Sequence, residues 1–441
     1  MTFRCKLLFH SFNIAVFYAK WYSKKMDLPS LGSLLGSFGV YLCLFVALYF
    51  EVFLLLSFLE RQPEKKTYLK PKYYPTVAMI VPCYNEERTL MQTVASLLEL
   101  EYHKEKLSIL IIDDGSKDGT RALGEDLAAA HEAVHFFHKE NGGKYTALNF
   151  GIEHTTAEIV GCLDADSFVA KDALIEAVKK MESEPATMAI TPAMKVYRPR
   201  KALELMQAVE YTFGIFYKKM FDNLSAVNVL PGPFSLYRRE VFAKIGLFKH
   251  AHNTEDMEIA FRMHANGLKI VNAHTAFVYT TVPSTVRALI KQRTRWSQGF
   301  LQNTRDYSYM LFNPRFGNFG MLVLPFSLVA FFAGLYTALY ALTRLGYTLW
   351  SKVADLHATG VPLQVTTQLS WFYINTNMML FIILVVLAGT LTAIVLGKRI
   401  ADTEVTLKAM ACYFALFGFV APVWLLRAAW GAALARESKW R

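Results

Sequence analysis

Four stretches of this chain, residues 34–59, 317–342, 371–396 and 409–430, are each long and apolar enough to cross a hydrocarbon core. They bracket a charged, turn-rich middle, residues 61–314. A domain in water between membrane segments is the organisation this pattern allows. It predicts an N-terminal membrane segment over residues 1–60, an aqueous domain with interface helices over 61–310, and a C-terminal membrane domain of about three spans over 311–441. Glu51 sits near the middle of the first span, an expensive place for a carboxylate. An earlier stretch, residues 7–22, is short and broken by His10 and Lys20, so it reads equally as a marginal span or an interfacial helix. It carries no small-residue cleavage site, and no removable signal peptide is expected.

Arg61, Lys65, Lys66, Lys70 and Lys72 follow the first span and, by the positive-inside rule, put the middle domain in the cytoplasm. Lys20, Lys24 and Lys25 before that span, and Arg436, Lys439 and Arg441 at the other end, pull against a simple count of crossings. A net charge of +11 raises the question of nucleic acid, but cations beside lipid headgroups account for it, and no nucleic-acid partner is expected. The five cysteines, Cys5, Cys43, Cys83, Cys162 and Cys412, have no paired spacing, which fits a reducing compartment and no metal cluster.

Within the middle domain, short β-branched runs alternate with helical segments. Strands are expected over residues 76–81, 107–112, 134–138 and 159–163, with helices over 87–99, 118–133 and from Lys144 onward. Such alternation predicts a parallel sheet with polar loops gathered at the strands' carboxyl ends, the edge where nucleotides bind. The best linkers are residues 62–74 and the Asn313-Pro314 turn.

The chemistry-bearing residues fall at those strand ends. Asp164-Ala165-Asp166 puts two carboxylates after an apolar strand, a donor pair suited to a hard divalent cation, although alone such a pair is more often a solvated turn that caps the next helix. Asp113-Asp114-Gly115-Ser116 ends another strand, and Asp114 could accept hydrogen bonds from a base or ribose. Gly142-Gly143-Lys144 opens a helix, where backbone N–H groups and a cation suit a pyrophosphate. Glu255-Asp256 begins a further helix, whose dipole favours the ionised form a general base needs. Gln292-Arg293-Thr294-Arg295-Trp296 collects an amide, two guanidinium groups and an indole, able to clamp a diphosphate and stack on a sugar ring. The H-E-x-x-H match at residues 131–135 is set aside because its second half reads as a strand, and the calcium-loop match at 114–125 because a strand precedes it.

Taken in order, Val81-Pro82-Cys83-Tyr84-Asn85-Glu86, Asp113-Asp114-Gly115-Ser116, Asp164-Ala165-Asp166, Thr254-Glu255-Asp256 and Gln292 to Trp296 resemble family 2 glycosyltransferases. The set is most similar to membrane-integrated synthases of poly-N-acetylglucosamine, hyaluronan and cellulose. The resemblance implies an α/β fold, a GT-A-like, mostly parallel nucleotide-binding sheet inserted between transmembrane helices of a multi-pass plasma-membrane protein. It implies that Tyr84, Glu86, Asp114, Lys144 and Asp164 bind the donor, that Asp166 with Asp164 ligates Mg²⁺ or Mn²⁺, and that Asp256 is the base. Gln292, Arg295 and Trp296 would form the wall where diphosphate and acceptor meet, and Pro231-Gly232-Pro233-Phe234-Ser235 would be an acceptor-site loop. Implied partners are a UDP-sugar, a polysaccharide or lipid acceptor and membrane lipid, with no particular protein partner. The activity implied is inverting, metal-dependent transfer of a sugar to a growing polysaccharide. A single transfer onto a membrane lipid is the rival, and a nucleotide-sensing transporter a distant third.

Overall fold

The computed structural model describes residues 31–60, 71–360 and 378–434. The basic segment 61–70, the stretch 7–22 and the cations at 436–441 lie outside the described residues, as does most of the linker 62–74. The described chain forms two compact units, one from residues 31–47, 336–360 and 378–383, the other from residues 48–335 and 384–434.

The larger unit is built on an eight-stranded sheet. Val77–Cys83 (β1), Leu107–Asp113 (β2), Val134–His138 (β3) and Ile159–Cys162 (β4) are the expected apolar runs, and β3-β2-β1-β4 pair in parallel. Their connections are the helices Leu90–Leu98 (α2), Thr120–Ala130 (α3) and Lys144–Glu153 (α4), after the membrane helix Leu31–Glu60 (α1). Beyond β4 the sheet turns mixed. Ser167–Val169 (β5), Thr187–Val196 (β6), Ser235–Arg238 (β7) and Lys269–Thr280 (β8) complete the order β4-β7-β6-β8-β5, in which only β6 and β8 run parallel. The parallel expectation therefore holds for the half with regular strand–helix alternation, and the other half adds antiparallel pairs. Two apolar cores fill the faces of the sheet, one around Met79, Val81, Ile109 and Ile111, the other around Ile80, Leu110, Leu148 and Ile259, as alternating side chains of a strand require.

Of the later helices, Ala202–Asn223 (α6, after Ala173–Ser183, α5) decides how the sheet meets the apolar helices. The sequence of residues 198–224, with Leu203, Met206, Val209, Phe213, Phe216 and Phe221 mostly on one helical stripe between clusters of Arg and Lys, predicts a helix lying at the membrane surface with that stripe toward lipid. Instead Met206 and Val209 are fully buried against Ile394, Ala409 and Tyr413, and Phe216 and Met220 against Leu54 and Ala393. Protein, not lipid, covers that face. After Glu240–Ile245 (α7), Glu255–Ala265 (α8) and Val286–Asp306 (α9) come Leu324–Thr359 (α10), Met378–Ala401 (α11) and Leu407–Ala433 (α12).

Four helical segments among the described residues are long and apolar enough to cross a membrane: Phe38–Leu59, Phe319–Thr359, Leu380–Ala401 and Leu407–Ala433. The second runs well past the expected 317–342, and the expected start of the third, residues 371–377, lies outside the described residues. Glu51 is not left to lipid, since its Oε1 accepts a hydrogen bond from Thr390 Oγ1 at 2.9 Å. In the smaller unit, Gly36 and Gly39 of α1 leave room for the rings of Tyr340 and Tyr336, and the Tyr336 hydroxyl donates to the Gly36 carbonyl at 3.0 Å.

Candidate active site

The turn after β1 sets the first wall of the site. Asn85 adopts a left-handed φ of 56°, and the turn is pinned to the β2–α3 loop by Asn85 N–H to Ser116 Oγ, Lys117 N–H to Asn85 Oδ1 and Glu86 N–H to Thr120 Oγ1. This clamps Tyr84 and Glu86 at the carboxyl edge of the sheet, where both line a cavity of about 720 Å³.

Asp114 is placed differently. It is buried, it is not among the cavity's lining residues, and its two oxygens accept from Lys139 Nζ (2.5 Å), Gly142 N–H (3.0 Å) and Gly143 N–H (2.8 Å). Gly143 has φ 90°, a conformation glycine reaches without strain, and it lets the loop curl onto that carboxylate. The N–H groups of Gly142 and Gly143, read from sequence as a pyrophosphate cradle, are thus committed to Asp114. What the loop delivers is the Lys144 side chain. Its Nζ stands 2.5 Å from Asp164 Oδ1 and 3.6 Å from Glu255 Oε1, and these carboxylates hold the amine firmly protonated despite its burial.

Asp164 and Asp166 both face the cavity from the β4–β5 turn, which is tied by Ser167 N–H to the Asp164 carbonyl and Thr93 Oγ1 to the Ala165 carbonyl. Burial, then the charges of Asp164 and Glu86, push the Asp166 carboxyl up to about 6. Asp164 Oδ1 is buried against the Lys144 ammonium. Two crowded carboxylates suit a divalent cation, and two protein ligands leave room for phosphate oxygens. Among the described residues no group of three or more His, Cys, Asp or Glu gathers as a self-sufficient metal centre.

The opposite wall comes from the start of α8 and from α9. Asp256 sits in the first turn of α8 beside Glu255, and burial followed by the Glu255 charge raises its carboxyl to about 6. Thr254, the residue before α8, is held by Asn303 Nδ2 donating to its Oγ1 at 2.9 Å, and Gly299 lacks a side chain where Thr254 fills the space. Helix α9 is thereby seated against the start of α8. Gln292, Arg295 and Trp296, spaced at three and four residues, share the face that lines the cavity. Arg295 donates to the Asn253 carbonyl at 2.7 Å, while Gln292 Oε1 is buried with no hydrogen-bond partner.

Pro231, Gly232 and Pro233 close one side of the cavity. A Cβ on Gly232 would overlap Lys144 Nζ and the Asp164 carboxylate, so only glycine lets this loop approach the ion pair. Of the residues assigned from sequence, the cavity brings together Tyr84, Glu86, Lys144, Asp164, Asp166, Asp256, Gln292, Arg295 and Trp296, leaving Asp114 outside its lining. Lining side chains that sequence reasoning did not reach include Glu210 and Lys218 on α6, and Arg293, read from sequence as one of two guanidinium groups, lines the cavity as well. Arg293 pairs with Glu210 at 3.0 Å and lies 4.3 Å from the Trp296 ring centre. The one available signal for α6 was the spacing of 210 and 218, two turns apart on one face.

Residues 78–246 match the family described as Glycosyl transferase family 2. The chain is 33% identical over 224 residues to a poly-beta-1,6-N-acetyl-D-glucosamine synthase of Staphylococcus aureus (strain COL), covering 51% of this chain and 54% of that protein. It is 30% identical over 246 residues to the synthase of the same name from Staphylococcus epidermidis (strain ATCC 35984), covering 55% and 59%. The match thus spans just over half the length of these curated relatives. In fold, it is similar to the mannosyltransferase PcManGT from Pyrobaculum calidifontis, with a TM-score of 0.60 at 20% identity over 90% of this chain and 99% of that one.

Proposed function

We propose that this chain, whose residues 78–246 form a family 2 glycosyltransferase domain, transfers a sugar from a UDP-sugar to a growing polysaccharide at the cytoplasmic membrane face. The observation that carries the reading is convergence: Asp166, Asp256 and Trp296, far apart in sequence and on separate elements, line one cavity at the carboxyl edge of the sheet. The similarity to poly-beta-1,6-N-acetyl-D-glucosamine synthases supports a polymer product and N-acetylglucosamine as the sugar to test first. The four apolar helical segments support a multi-pass protein of the plasma membrane.

Tyr84 and Glu86 hold the nucleoside end of the donor, and Asp114 acts through the loop that aims Lys144. Lys144 and Arg295 face the diphosphate. Asp164 and Asp166 would hold Mg²⁺ or Mn²⁺, which when bound neutralises charge on the departing diphosphate; PcManGT was solved with GDP-Man and Mn²⁺. Asp256 takes the proton of the acceptor hydroxyl as that oxygen bonds to the anomeric carbon from the face opposite the diphosphate. The bond from that carbon to the phosphate oxygen breaks as the new one forms, so the anomeric configuration inverts and no covalent enzyme intermediate arises.

Purified full-length protein offered a panel of UDP-sugars with Mn²⁺ tests this reading. Expected are UDP release and a saccharide product from one donor, both stopped by a chelator and both lost in Asp166→Asn. Turnover that resists the chelator, or an Asp166→Asn variant at the wild-type rate, contradicts the assigned metal site.

A further inference from the structure

Helix α6 crosses the cavity with Glu210, Gly214 and Lys218 at every fourth position, so an acid, a gap and a base lie along one face over about 12 Å. The gap is the informative member. Glycine inside a helix costs about 1 kcal/mol relative to alanine, so a glycine in the middle of a 22-residue helix calls for a reason. At Gly299 and Gly397 the reason is a neighbour, Thr254 and the Thr212 carbonyl respectively, while Gly346 and Gly418 are as open as Gly214 but lie outside the cavity lining. A Cβ on Gly214 would meet no heavy atom within 4 Å. Nothing in the fold takes the space, and it opens on the cavity.

The flanking groups describe what fits there. At one end Glu210 is fixed by Arg293, which also lies over the Trp296 ring, and Trp296 lines the same cavity as Gly214. Gln292 Oε1 on the facing helix has no hydrogen-bond partner. At the other end Lys218 Nζ donates to Thr191 Oγ1 at 3.3 Å, a long bond that leaves further donors on the ammonium group. Burial lowers this lysine to about 8, with the Asp256 charge acting against that shift, so it is mostly cationic at neutral pH. An aromatic residue on the same cavity, an open space over Gly214, an orphan acceptor and a cation with spare donors match a neutral, hydroxyl-rich saccharide.

We infer that the notch over Gly214 seats the acceptor's terminal sugar ring, and that Lys218 is a positioning residue donating to a hydroxyl or amide oxygen of that sugar. The inference rests on the glycosyltransferase reading of the same cavity, and it makes the missing side chain at 214 a determinant of which acceptors enter.

The test uses the full chain with Mn²⁺, UDP-N-acetylglucosamine and short N-acetylglucosamine oligomers, reading UDP affinity by calorimetry and transfer by product mass. Gly214→Leu should leave UDP affinity within about twofold while raising the acceptor KM about tenfold or more and shortening the products. Gly418→Leu, at a glycine equally open but outside the cavity lining, should match wild type. Lys218→Met should raise the acceptor KM about tenfold with little change in kcat, and Lys218→Arg should recover part of the loss. Gly214→Leu with unchanged UDP affinity, acceptor KM and product length overturns the inference. If that variant does not fold, Gly214→Ala decides: it should melt no lower than wild type yet bind acceptor about threefold more weakly, and an unchanged KM overturns the inference. A wild type that transfers to no acceptor from any nucleotide sugar removes the functional reading and the inference together, whereas normal wild-type transfer with an indifferent Gly214→Leu removes the inference alone.

Discussion

Asp256 shows how one residue carries both function and cost. Its carboxyl is raised to about 6 by burial and by Glu255, yet the proposed role needs it ionised. Transfer should therefore fall as pH drops through about 6, a limb visible in kcat/KM against pH and absent from UDP binding. The stability consequence has the opposite sense. A carboxyl raised above its unfolded value stabilises the fold only while protonated, and that contribution is lost as pH rises through about 6. Asp256→Asn should cut transfer by about two to four orders of magnitude, leave UDP affinity nearly intact, and raise the melting temperature at neutral pH, since ~1–3 kcal/mol of buried-charge cost is removed. Kinetics, calorimetry and a thermal melt on the same preparation check this. A matching loss of UDP affinity would show that Asp256 serves the donor instead.

Among the elements, the 231–233 loop and helix α6 carry the sharpest consequences. Gly232→Ala would drive a methyl group into the Lys144–Asp164 ion pair, so turnover should drop about tenfold or more with a much smaller change in melting temperature. Wild-type turnover in that variant would mean the pair is not used. Val209 lies fully buried between α6 and the membrane helices, so Val209→Asp should lower stability by several kcal/mol, and a spin label there should be shielded from a lipid-soluble relaxant. The first four strands were legible because each is a short apolar run ended by polar turn residues. The later ones were not. β6 contains Pro192, where its register with β8 shifts, β7 has four residues, and β8 mixes Asn272, His274 and Thr275 into its pattern. The site was legible where side chains follow strand ends or share one helix, as Asp164, Asp166 and Gln292 to Trp296 do. Glu210, Gly214 and Lys218 were hidden because tertiary packing chooses which face of α6 meets the cavity. The loop contacts of Asp114 were hidden for a related reason: a strand-end carboxylate can take up its own neighbouring loop as readily as a ligand.

On the scale of the whole molecule, α6 joins chemistry to the membrane helices, with one face lining the cavity and another buried against Ile394, Ala409, Tyr413 and Leu54. An acceptor held over Gly214 would lie on the element that contacts those helices, a placement suited to a product that lengthens at the membrane. The proposed function has this chain build a polymer rather than add one sugar to a lipid. Reconstitution in sealed vesicles measures it directly, with UDP-N-acetylglucosamine and Mn²⁺ supplied on the side of the catalytic domain and products sized by mass. A ladder of N-acetylglucosamine polymers is expected, absent with Asp256→Asn. A product that stops at one sugar on a lipid, at any donor concentration, would contradict it.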